Sequence, residues 1–270
     1  MPVDVAAEII ANRALSADYN VVALAAPAIA AAAAPGQFVM LKANAGFDPL
    51  LRRPFSIFEI LCDSGRRPSA LTILSKRIGP ATNLLYDARA GERIACLGPL
   101  GRPFTIVDPP VEGWMVAGGV GLAPFVTLAE SLRARRVKTT LFYGARRAAD
   151  LFYLDFFRAL GVELVLTTED GSAGETGRVV SPLDRRLAAL DRQAPVMLYA
   201  CGPEAMLAAT ARVAARHQRP CQVSVERIMG CGLGGCYSCV VPMRGEDGGR
   251  HHVRSCIAGP VLAADRILWE

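Results

Sequence analysis

The sequence predicts a multidomain protein made of an antiparallel β-barrel, a doubly wound α/β domain and a small C-terminal module. Three observations support this. Short alternating strands with Gly and Pro boundaries fill the first hundred residues. Strands and helices then alternate through the middle of the chain, and glycine, cysteine and polar residues dominate after Val225. The expected units are residues 1–108, 111–226 and 227–270.

Composition and charge narrow the class of protein. The chain has 270 residues, 52% of them hydrophobic, and a net charge of +5, so two compact domains and a small module can form. Basic residues are scattered through helical segments and are not interleaved with aromatics, so no nucleic-acid partner is expected. Residues 1–5 carry an acid instead of a basic signal region, and the apolar run Val21–Ala34 is too short to span a bilayer. Eight cysteines then fit a reducing compartment, and we expect a soluble cytoplasmic protein with no membrane contact.

The first unit reads as a small antiparallel barrel of short strands. A Gly turn leads into a predicted helix over Ala81–Tyr86, whose N-terminus would favour an anion. A stiff Asp-Pro-Pro linker at residues 108–110 ends the unit. The predicted strands are Asn20–Leu24, Gln37–Lys42, Phe55–Ile60, Leu71–Ser75 and Arg93–Leu97.

Two segments carry more chemistry than a barrel needs. The first is Leu51–Ile57, where two arginines precede a proline, an aromatic and a hydroxyl. Arginine can neutralise a phosphate, the aromatic can cover a planar ring, and the serine can bond the edge of that ring. The second is the turn within Ser75–Asn83. Either segment, taken alone, is equally compatible with an ordinary turn.

The middle unit is predicted to be a doubly wound parallel sheet, with ligands bound at the carboxyl ends of its strands. The loop 118–124 joins its first strand and helix, and its glycines would let the backbone approach a pyrophosphate. Any tight turn can use glycine, however. The predicted strands are Trp114–Ala117, Thr139–Tyr143, Val162–Thr167, Val196–Ala200 and Gln222–Val225, and the helices Pro124–Arg135, Leu151–Leu160, Pro182–Leu190 and Pro203–Arg216.

A second candidate ligand segment follows the strand Val196–Ala200. Cys201 and Gly202 lie at the same predicted sheet edge as the glycine loop, which favours a place beside a dinucleotide. The alternative is that Cys201 is a small core residue. Arg146 and Arg147 follow another strand and could bind an adenosine 2′-phosphate or be solvated, so the residues leave NADH and NADPH open.

The C-terminal module is predicted from its cysteines. Cys231, Cys236 and Cys239 are spaced C-x4-C-x2-C, and Cys256 follows at a distance, which is the plant-type [2Fe–2S] ligand pattern. A disulfide loop or a zinc site is the alternative, but zinc sites usually have a second short-spaced pair. The adjacent histidines 251 and 252 suggest a Rieske centre, which we discount because four cysteines already complete a cluster.

Two further expectations concern the rest of the cysteines and the local structure of the module. The remaining strand cysteines, Cys62, Cys96 and Cys221, are predicted to be core thiols. Helical and strand periods vanish from Glu226 onward, so we expect a module held mainly by its metal.

The barrel and the middle unit together resemble the ferredoxin–NADP reductase superfamily. Its R-x-[YF]-[ST] motif is matched at residues 53–56, its G-G-x-G loop at 118–121 and its C-G-P motif at 201–203. The usual Gly-x-Gly-Thr phosphate turn reads Gly79-Pro-Ala-Thr82 here. The resemblance implies FAD binding by Arg53, Pro54, Phe55, Ser56, Gly79 and Thr82, and NAD(H) binding by Gly119, Gly121, Cys201 and Gly202.

The order of the three units resembles the electron-transfer subunits of class B dihydroorotate dehydrogenase, whose E-R-x-M-x-C-G-x-G-x-C-x-x-C signature is matched at residues 226–239. The resemblance implies that Cys231, Cys236, Cys239 and Cys256 hold a [2Fe–2S] cluster. It also implies transfer of electrons between NADH, FAD, the cluster and the FMN of a separate dihydroorotate dehydrogenase subunit, in a heterotetramer serving pyrimidine biosynthesis.

Two alternative functions stay open from the sequence. The small subunits of ferredoxin–NADP transhydrogenases and of sulfhydrogenases or sulfide reductases share this layout, although they typically carry an acidic D-G-[TS]-G-M-C loop that this sequence lacks. A non-enzymatic redox-sensing module is the third hypothesis. It requires that the purified protein show no flavin absorbance and no diaphorase activity.

Overall fold

The N-terminal unit is a closed antiparallel barrel of six strands. A computed structural model describes residues 1–44, 46 and 48–269. The barrel elements are β1 (Val3–Ala14), β2 (Tyr19–Ala25), α1 (Pro27–Ala32), β3 (Phe38–Lys42), β4 (Arg53–Cys62), β5 (Pro68–Lys76), α2 (Pro80–Asp87) and β6 (Arg93–Leu100). The strand order is β1-β2-β5-β4-β3-β6, and pairing of β1 with β6 closes the barrel. The predicted fold class is therefore confirmed for this unit.

Two barrel elements were not predicted from the sequence. Strand β1 does carry an alternating apolar pattern, since Val3, Val5, Ala7 and Ile9 face the barrel core and the residues between them are exposed. This signal was present in the sequence. Helix α1 begins at Pro27, which suits the first turn of a helix. Its Ala-rich sequence has no apolar periodicity, and Ile29 is its largest buried side chain.

The middle unit is a predominantly parallel sheet flanked by helices, as predicted. Its elements are β7 (Glu112–Gly118), α3 (Phe125–Ala134), β8 (Thr139–Ala145), α4 (Leu154–Ala159), β9 (Glu163–Thr168), β10 (Glu175–Thr176), α5 (Val180–Ala189), β11 (Val196–Cys201), α6 (Glu204–Arg216) and β12 (Cys221–Ser224). The strand order is β10-β9-β8-β7-β11-β12. The order reverses between β7 and β11, so a topological switch point lies at their carboxyl ends.

The C-terminal module has more regular structure than its composition suggests. Its elements are β13 (Val240–Arg244), β14 (Arg250–Arg254), α7 (Ser255–Ala258) and β15 (Val261–Ala263). The expectation that strand periods vanish after Glu226 is wrong, because β13 and β14 form a hairpin and β15 pairs antiparallel with β12. These short strands are specified by partners elsewhere, not by their own pattern. The boundaries drawn at residues 108, 111 and 226 stay predictions.

An apolar interface fixes the barrel against the sheet. Tyr19 and Phe58 of the barrel belong to the same buried cluster as the inner side chains of the middle unit. The Tyr153 ring lies 4.6 Å from the Phe58 ring, its hydroxyl donates to Glu59 at 3.1 Å, and it accepts from Arg13 at 2.8 Å. The two nucleotide-binding units predicted from the sequence are therefore held by packing and by hydrogen bonds.

None of the helices in the described part of the chain has the length and apolar character needed to cross a membrane.

Candidate functional site

The cysteine loop lies between β12 and β13 and packs against the outer face of the barrel. Cys239 and Cys256 are buried together with Met229 of the module and Phe38 and Met40 of β3. The spacing of the cysteines along the sequence cannot by itself bury Cys239 and Cys256 together against β3. The barrel strand supplies an apolar surface, and the loop folds against it with its remaining cysteines nearer to solvent.

One glycine explains how close the loop comes to the barrel. Gly232 has φ +72°, which a side chain disfavours, and a Cβ there would lie 2.6 Å from the Met40 Cγ. Any larger residue would push the loop away from β3. The glycines of this loop therefore serve close packing on the barrel as well as tight turning.

The four predicted ligand thiols meet as two pairs. Cys231 acts on the pKa of Cys236, and Cys239 on the pKa of Cys256, so the thiols of each pair are neighbours. All four are free thiols, which contradicts the disulfide-loop alternative. Among the described residues, no three His, Cys, Asp or Glu side chains surround a single metal position. Two thiol pairs fit a cluster with two irons better than one ion with four ligands, since in a [2Fe–2S] cluster each iron takes two protein ligands.

The two halves of the thiol set differ in their electrostatics. A hydrogen bond with the Ser238 hydroxyl, together with the Ser238 backbone and the Cys231 thiol, lowers the pKa of Cys236 to about 6. Burial and the adjacent Cys239 thiol raise the pKa of Cys256 to about 12. Iron binding would deprotonate both groups, because a coordinating thiol is held as its thiolate. The low pKa of Cys236 thus favours the thiolate form that metal binding requires.

The polar contacts around the loop fit such a centre. The Leu233 N–H points at the Cys231 sulfur at 3.4 Å, and the Gly230 N–H donates to the Ser238 hydroxyl at 2.9 Å. The Ser255 N–H donates to the Cys239 carbonyl at 2.9 Å, which ties the third cysteine to the segment carrying the fourth. The two histidines of β14 are exposed, which favours four cysteine ligands over the two histidines and two cysteines of a Rieske centre.

The remaining cysteines divide by position. Cys96 and Cys221 are buried, and burial raises the pKa of each thiol to about 12, as expected for core residues. The prediction of a core thiol is wrong for Cys62, which is exposed. It is the last residue of β4, at an irregular pairing with Pro68 where the strand leaves the barrel core.

The predicted flavin segment opens β4. Arg53 is exposed, and its guanidinium donates to the carbonyls of Leu51 and Arg52, at 3.0 and 3.2 Å; it forms no ion pair with a carboxylate of the described residues. Pro54, Phe55 and Ser56 are half-buried. An arginine held by its own segment is available to an anionic ligand without loss of any long-range contact.

The structure brings the flavin segment close to the cysteine loop. Met40 pairs with Pro54 across the β3–β4 ladder, and the same Met40 side chain contacts Gly232. Sequence reasoning missed Met40, although the outward position of Phe38 and Met40 on β3 was the available signal. One strand therefore separates the two segments predicted to hold redox groups.

The turn at Gly79–Thr82 has a structural role of its own. The Thr82 hydroxyl accepts from the N–H groups of Ile78 and Gly79, at 2.9 and 3.1 Å, in a capping arrangement at the start of α2. The amides of Ile78 and Gly79 are thus already satisfied. Phosphate binding by Gly79 and Thr82 stays a prediction.

The second candidate nucleotide site lies at the switch point of the sheet. Gly119 has φ +55° and open space around its Cα, whereas a Cβ on Gly121 would lie 2.1 Å from the Cys201 carbonyl oxygen. Gly121 is therefore needed for the contact of two loops, and Gly119 is the glycine at the open position. Gly202 completes the contact, with its Cα against the Gly118 backbone.

Cys201 lies at the end of β11, at the edge of the core. It is partly exposed and packs on the main apolar cluster. Desolvation raises the pKa of its thiol to about 12, against a hydrogen bond with Ser224 that lowers it. The thiol is therefore neutral at physiological pH, which suits both a packing role and a place beside an uncharged ring.

The two arginines after β8 are exposed and differ in their bonding. Arg147 donates to Asp150 at 3.2 Å and lies 3.9 Å from Asp18. A guanidinium already facing two carboxylates is a poor partner for an additional phosphate.

Comparison with known proteins agrees with this geometry. Residues 226–268 match the iron–sulfur cluster binding domain of dihydroorotate dehydrogenase B, and residues 115–212 match the oxidoreductase NAD-binding domain. The chain is 36% identical to the electron transfer subunit of dihydroorotate dehydrogenase B (NAD(+)) from Desulforamulus reducens, over 91% of this chain and 90% of that one. The corresponding subunit from Geobacillus kaustophilus is 37% identical over 87% of this chain and 86% of its own length.

Two solved structures share the fold, one over nearly the whole chain and one over about four fifths of it. An NADH-dependent reduced ferredoxin-NADP oxidoreductase structure superimposes with a TM-score of 0.83 at 26% identity, covering 98% of this chain and 90% of that one. The ferredoxin NADP+ reductase from Neisseria gonorrhoeae, solved with FAD and NADP, has a TM-score of 0.64 at 19% identity over 79% of this chain and 91% of that one. At 19% identity, the likeness to the Neisseria gonorrhoeae reductase shows a shared fold and nothing more.

Proposed function

The chain belongs to the family of electron-transfer subunits of dihydroorotate dehydrogenase B, and from that premise we propose that it carries electrons between NADH and a separate dihydroorotate-oxidising subunit in pyrimidine biosynthesis. The relatives named above support the proposal across nearly the whole chain. We place the protein in the cytoplasm, in a heterotetramer with an FMN-containing catalytic subunit. The observation that carries the proposal is the meeting of four free thiols beside the strand that pairs with the flavin segment.

Each redox group has candidate residues in this chain. Cys231 and Cys236 would hold one iron, and Cys239 and Cys256 the other. When bound, FAD takes up two electrons as hydride and releases them singly, which a one-electron cluster requires. The exposed Arg53 guanidinium is available to the flavin pyrophosphate, with Pro54, Phe55 and Ser56 along the same strand.

The nucleotide is assigned to the switch point of the sheet. Gly119 offers open backbone for the pyrophosphate, while Gly121, Cys201 and Gly202 keep the two loops together. The neutral Cys201 thiol would lie beside the nicotinamide. Because the barrel is fixed on this sheet through Phe58 and Tyr153, the two nucleotides would keep a constant separation.

Electrons must leave through a surface that another protein can reach. Apolar side chains around the cysteine loop are exposed, with Ile228 at 84%, Leu233 at 55% and Tyr237 at 61%. Clustered exposed apolar residues mark interaction sites more often than isolated ones do. This surface is the proposed contact with the catalytic subunit, and Tyr237 and Ser238 are the first loop residues to test.

The experiment separates the steps before and after the cysteine loop. Cys236→Ser should keep NADH-dependent dye reduction, because the nucleotide sites are untouched, and should abolish electron transfer to the co-purified catalytic subunit. Cys62→Ser is the matched control, since it removes an exposed free thiol from the far end of β4. Loss of dye reduction in Cys236→Ser with FAD still bound would contradict the proposed order of carriers.

The identity of the partner distinguishes this function from the alternative of a transhydrogenase or sulfide reductase subunit. The likeness to the NADH-dependent reduced ferredoxin-NADP oxidoreductase is the observation in favour of the transhydrogenase alternative. Co-purification with an FMN protein that oxidises dihydroorotate supports the present proposal. Co-purification with a larger iron–sulfur flavoprotein contradicts it.

A further inference from the structure

The hairpin that follows the cysteine loop links two predicted ligands and then reaches back over the loop. Strand β13 begins directly after Cys239, and β14 ends two residues before Cys256. Val240 and Arg254 face each other at the end of the hairpin nearest the thiols. Arg254 is thus the basic side chain that the fold places beside the cysteine loop.

Arg254 makes two contacts with the loop, and both lie between the first and third cysteines. Its Nη1 donates to the Gly234 carbonyl at 2.8 Å. Its guanidinium carbon lies 4.8 Å from the centre of the Tyr237 ring, in cation–π geometry. A planar guanidinium can make both contacts at once, whereas an ammonium group would have to choose between them.

The loop is strained where Arg254 holds it. Tyr237 has φ +57°, an unusual conformation for a bulky side chain, and it adjoins Cys236. Gly234 has φ +83°, and a Cβ there would lie 2.9 Å from the Ile257 Cγ1 and 3.4 Å from the Arg254 Nη1. Strained backbone persists where surrounding contacts determine it, and Arg254 supplies a contact at each of these two positions.

The charge of Arg254 is not compensated by a carboxylate. It takes part in none of the ion pairs found among the described residues. The side chain is half-buried, so solvent screens it less than it would screen an exposed arginine. Arg254 lies two residues before Cys256, and its guanidinium bonds to Gly234 between Cys231 and Cys236, so the thiolates formed on metal binding would lie near its positive charge.

We propose that Arg254 is a positioning residue for the cysteine loop, which holds Gly234 and Tyr237 in place and keeps one fixed positive charge beside the four thiolates. This inference rests on the proposed cluster. Adding one electron to the site adds one negative charge, which the guanidinium stabilises. The reduction potential is therefore higher with Arg254 than without it.

The test is a redox titration of the anaerobically purified full-length protein with dithionite, followed by electron paramagnetic resonance. In Arg254→Gln, the reduced-to-oxidised ratio at the wild-type midpoint should fall about threefold or more, which is about 28 mV because tenfold is 59 mV for one electron. Arg244→Gln is the matched control. It removes the same charge at the far end of the hairpin, four residues or about 13 Å along β13 from Val240, and should leave the midpoint unchanged.

Each outcome decides the inference. An unchanged midpoint in Arg254→Gln, or an equal shift in Arg244→Gln, overturns it. If Arg254→Gln assembles no cluster, Arg254→Lys is titrated instead. A Lys variant that carries the cluster and keeps the wild-type midpoint supports the role of the charge. A threefold fall in its reduced-to-oxidised ratio at that midpoint contradicts it. A wild-type protein without iron and sulfide overturns the proposed function and this inference together, whereas a loaded wild type with unshifted variants overturns the inference alone.

Discussion

Replacing Gly121 by Ala is expected to separate the two loops that form the switch point of the sheet. A Cβ at this position would lie 2.1 Å from the Cys201 carbonyl oxygen and 2.6 Å from the Gly202 nitrogen. Both atoms belong to the backbone at the end of β11, so no side chain can turn away to relieve the clash. The cost should therefore lie at the upper end of the overpacking range, about 3 kcal/mol of unfolding free energy.

Gly119→Ala is the matched control in the same loop. Gly119 has φ +55° but no atom within 4 Å of an added Cβ, so only the left-handed conformation is penalised, by about 1 kcal/mol. The two variants thus separate a clash from a backbone preference at positions two residues apart. NADH-dependent dye reduction should be lost in Gly121→Ala together with the structure of the loop.

The assay is urea denaturation followed by tryptophan fluorescence. Trp114 is buried in β7, and Trp269 bonds to the Ala264 carbonyl beside β15, so the two tryptophans of the chain report on the sheet. With a slope of about 2 kcal/mol per molar urea, the midpoint should fall by about 1.5 M in Gly121→Ala and about 0.5 M in Gly119→Ala. Equal midpoints in the two variants would refute the reasoning.

Two further predictions concern the flavin segment and pH. Arg53→Ala should raise the dissociation constant for FAD about tenfold or more, since hydrogen bonds to charged groups contribute about 1.5–3 kcal/mol; in equilibrium dialysis, an equal effect in Arg52→Ala would show that any nearby positive charge suffices. Asp184→Asn should lower the unfolding free energy at pH 7 by up to about 1 kcal/mol, because the exposed ion pair is partly screened. A hydrogen bond from His217, and then the Arg216 charge, hold the pKa of Asp184 below its ordinary value. The stabilisation by the Asp184 carboxylate is therefore complete above about pH 4 and is lost as the pH falls through the lower pKa of the folded state. A difference in unfolding free energy between the wild type and Asp184→Asn that persists at pH 2 would contradict this.

The large elements could be predicted because their signals are local. Five barrel strands and the strand–helix order of the middle unit follow from apolar periodicity and from Gly and Pro boundaries. The C-x4-C-x2-C spacing likewise lies within one short segment. The family matches confirm an iron–sulfur cluster binding domain and an NAD-binding domain, while the roles of single residues stay predictions.

The remaining features depend on packing between distant segments. Strand β15 has only three residues and is held by β12, so its own pattern is too short to predict it. The contact of Met40 with Gly232 and the position of Arg254 over Tyr237 join residues that no sequence pattern connects. Tertiary context decides such contacts, and it also decides that the exposed Cys62 differs from the other strand cysteines.

The most direct test of the central claim is an anaerobic purification of the full-length protein, with an absorbance spectrum and quantification of flavin, iron and sulfide. The account predicts one FAD and one two-iron, two-sulfide cluster held by Cys231, Cys236, Cys239 and Cys256 in each chain. A colourless protein, or one that contains zinc without iron, would contradict it.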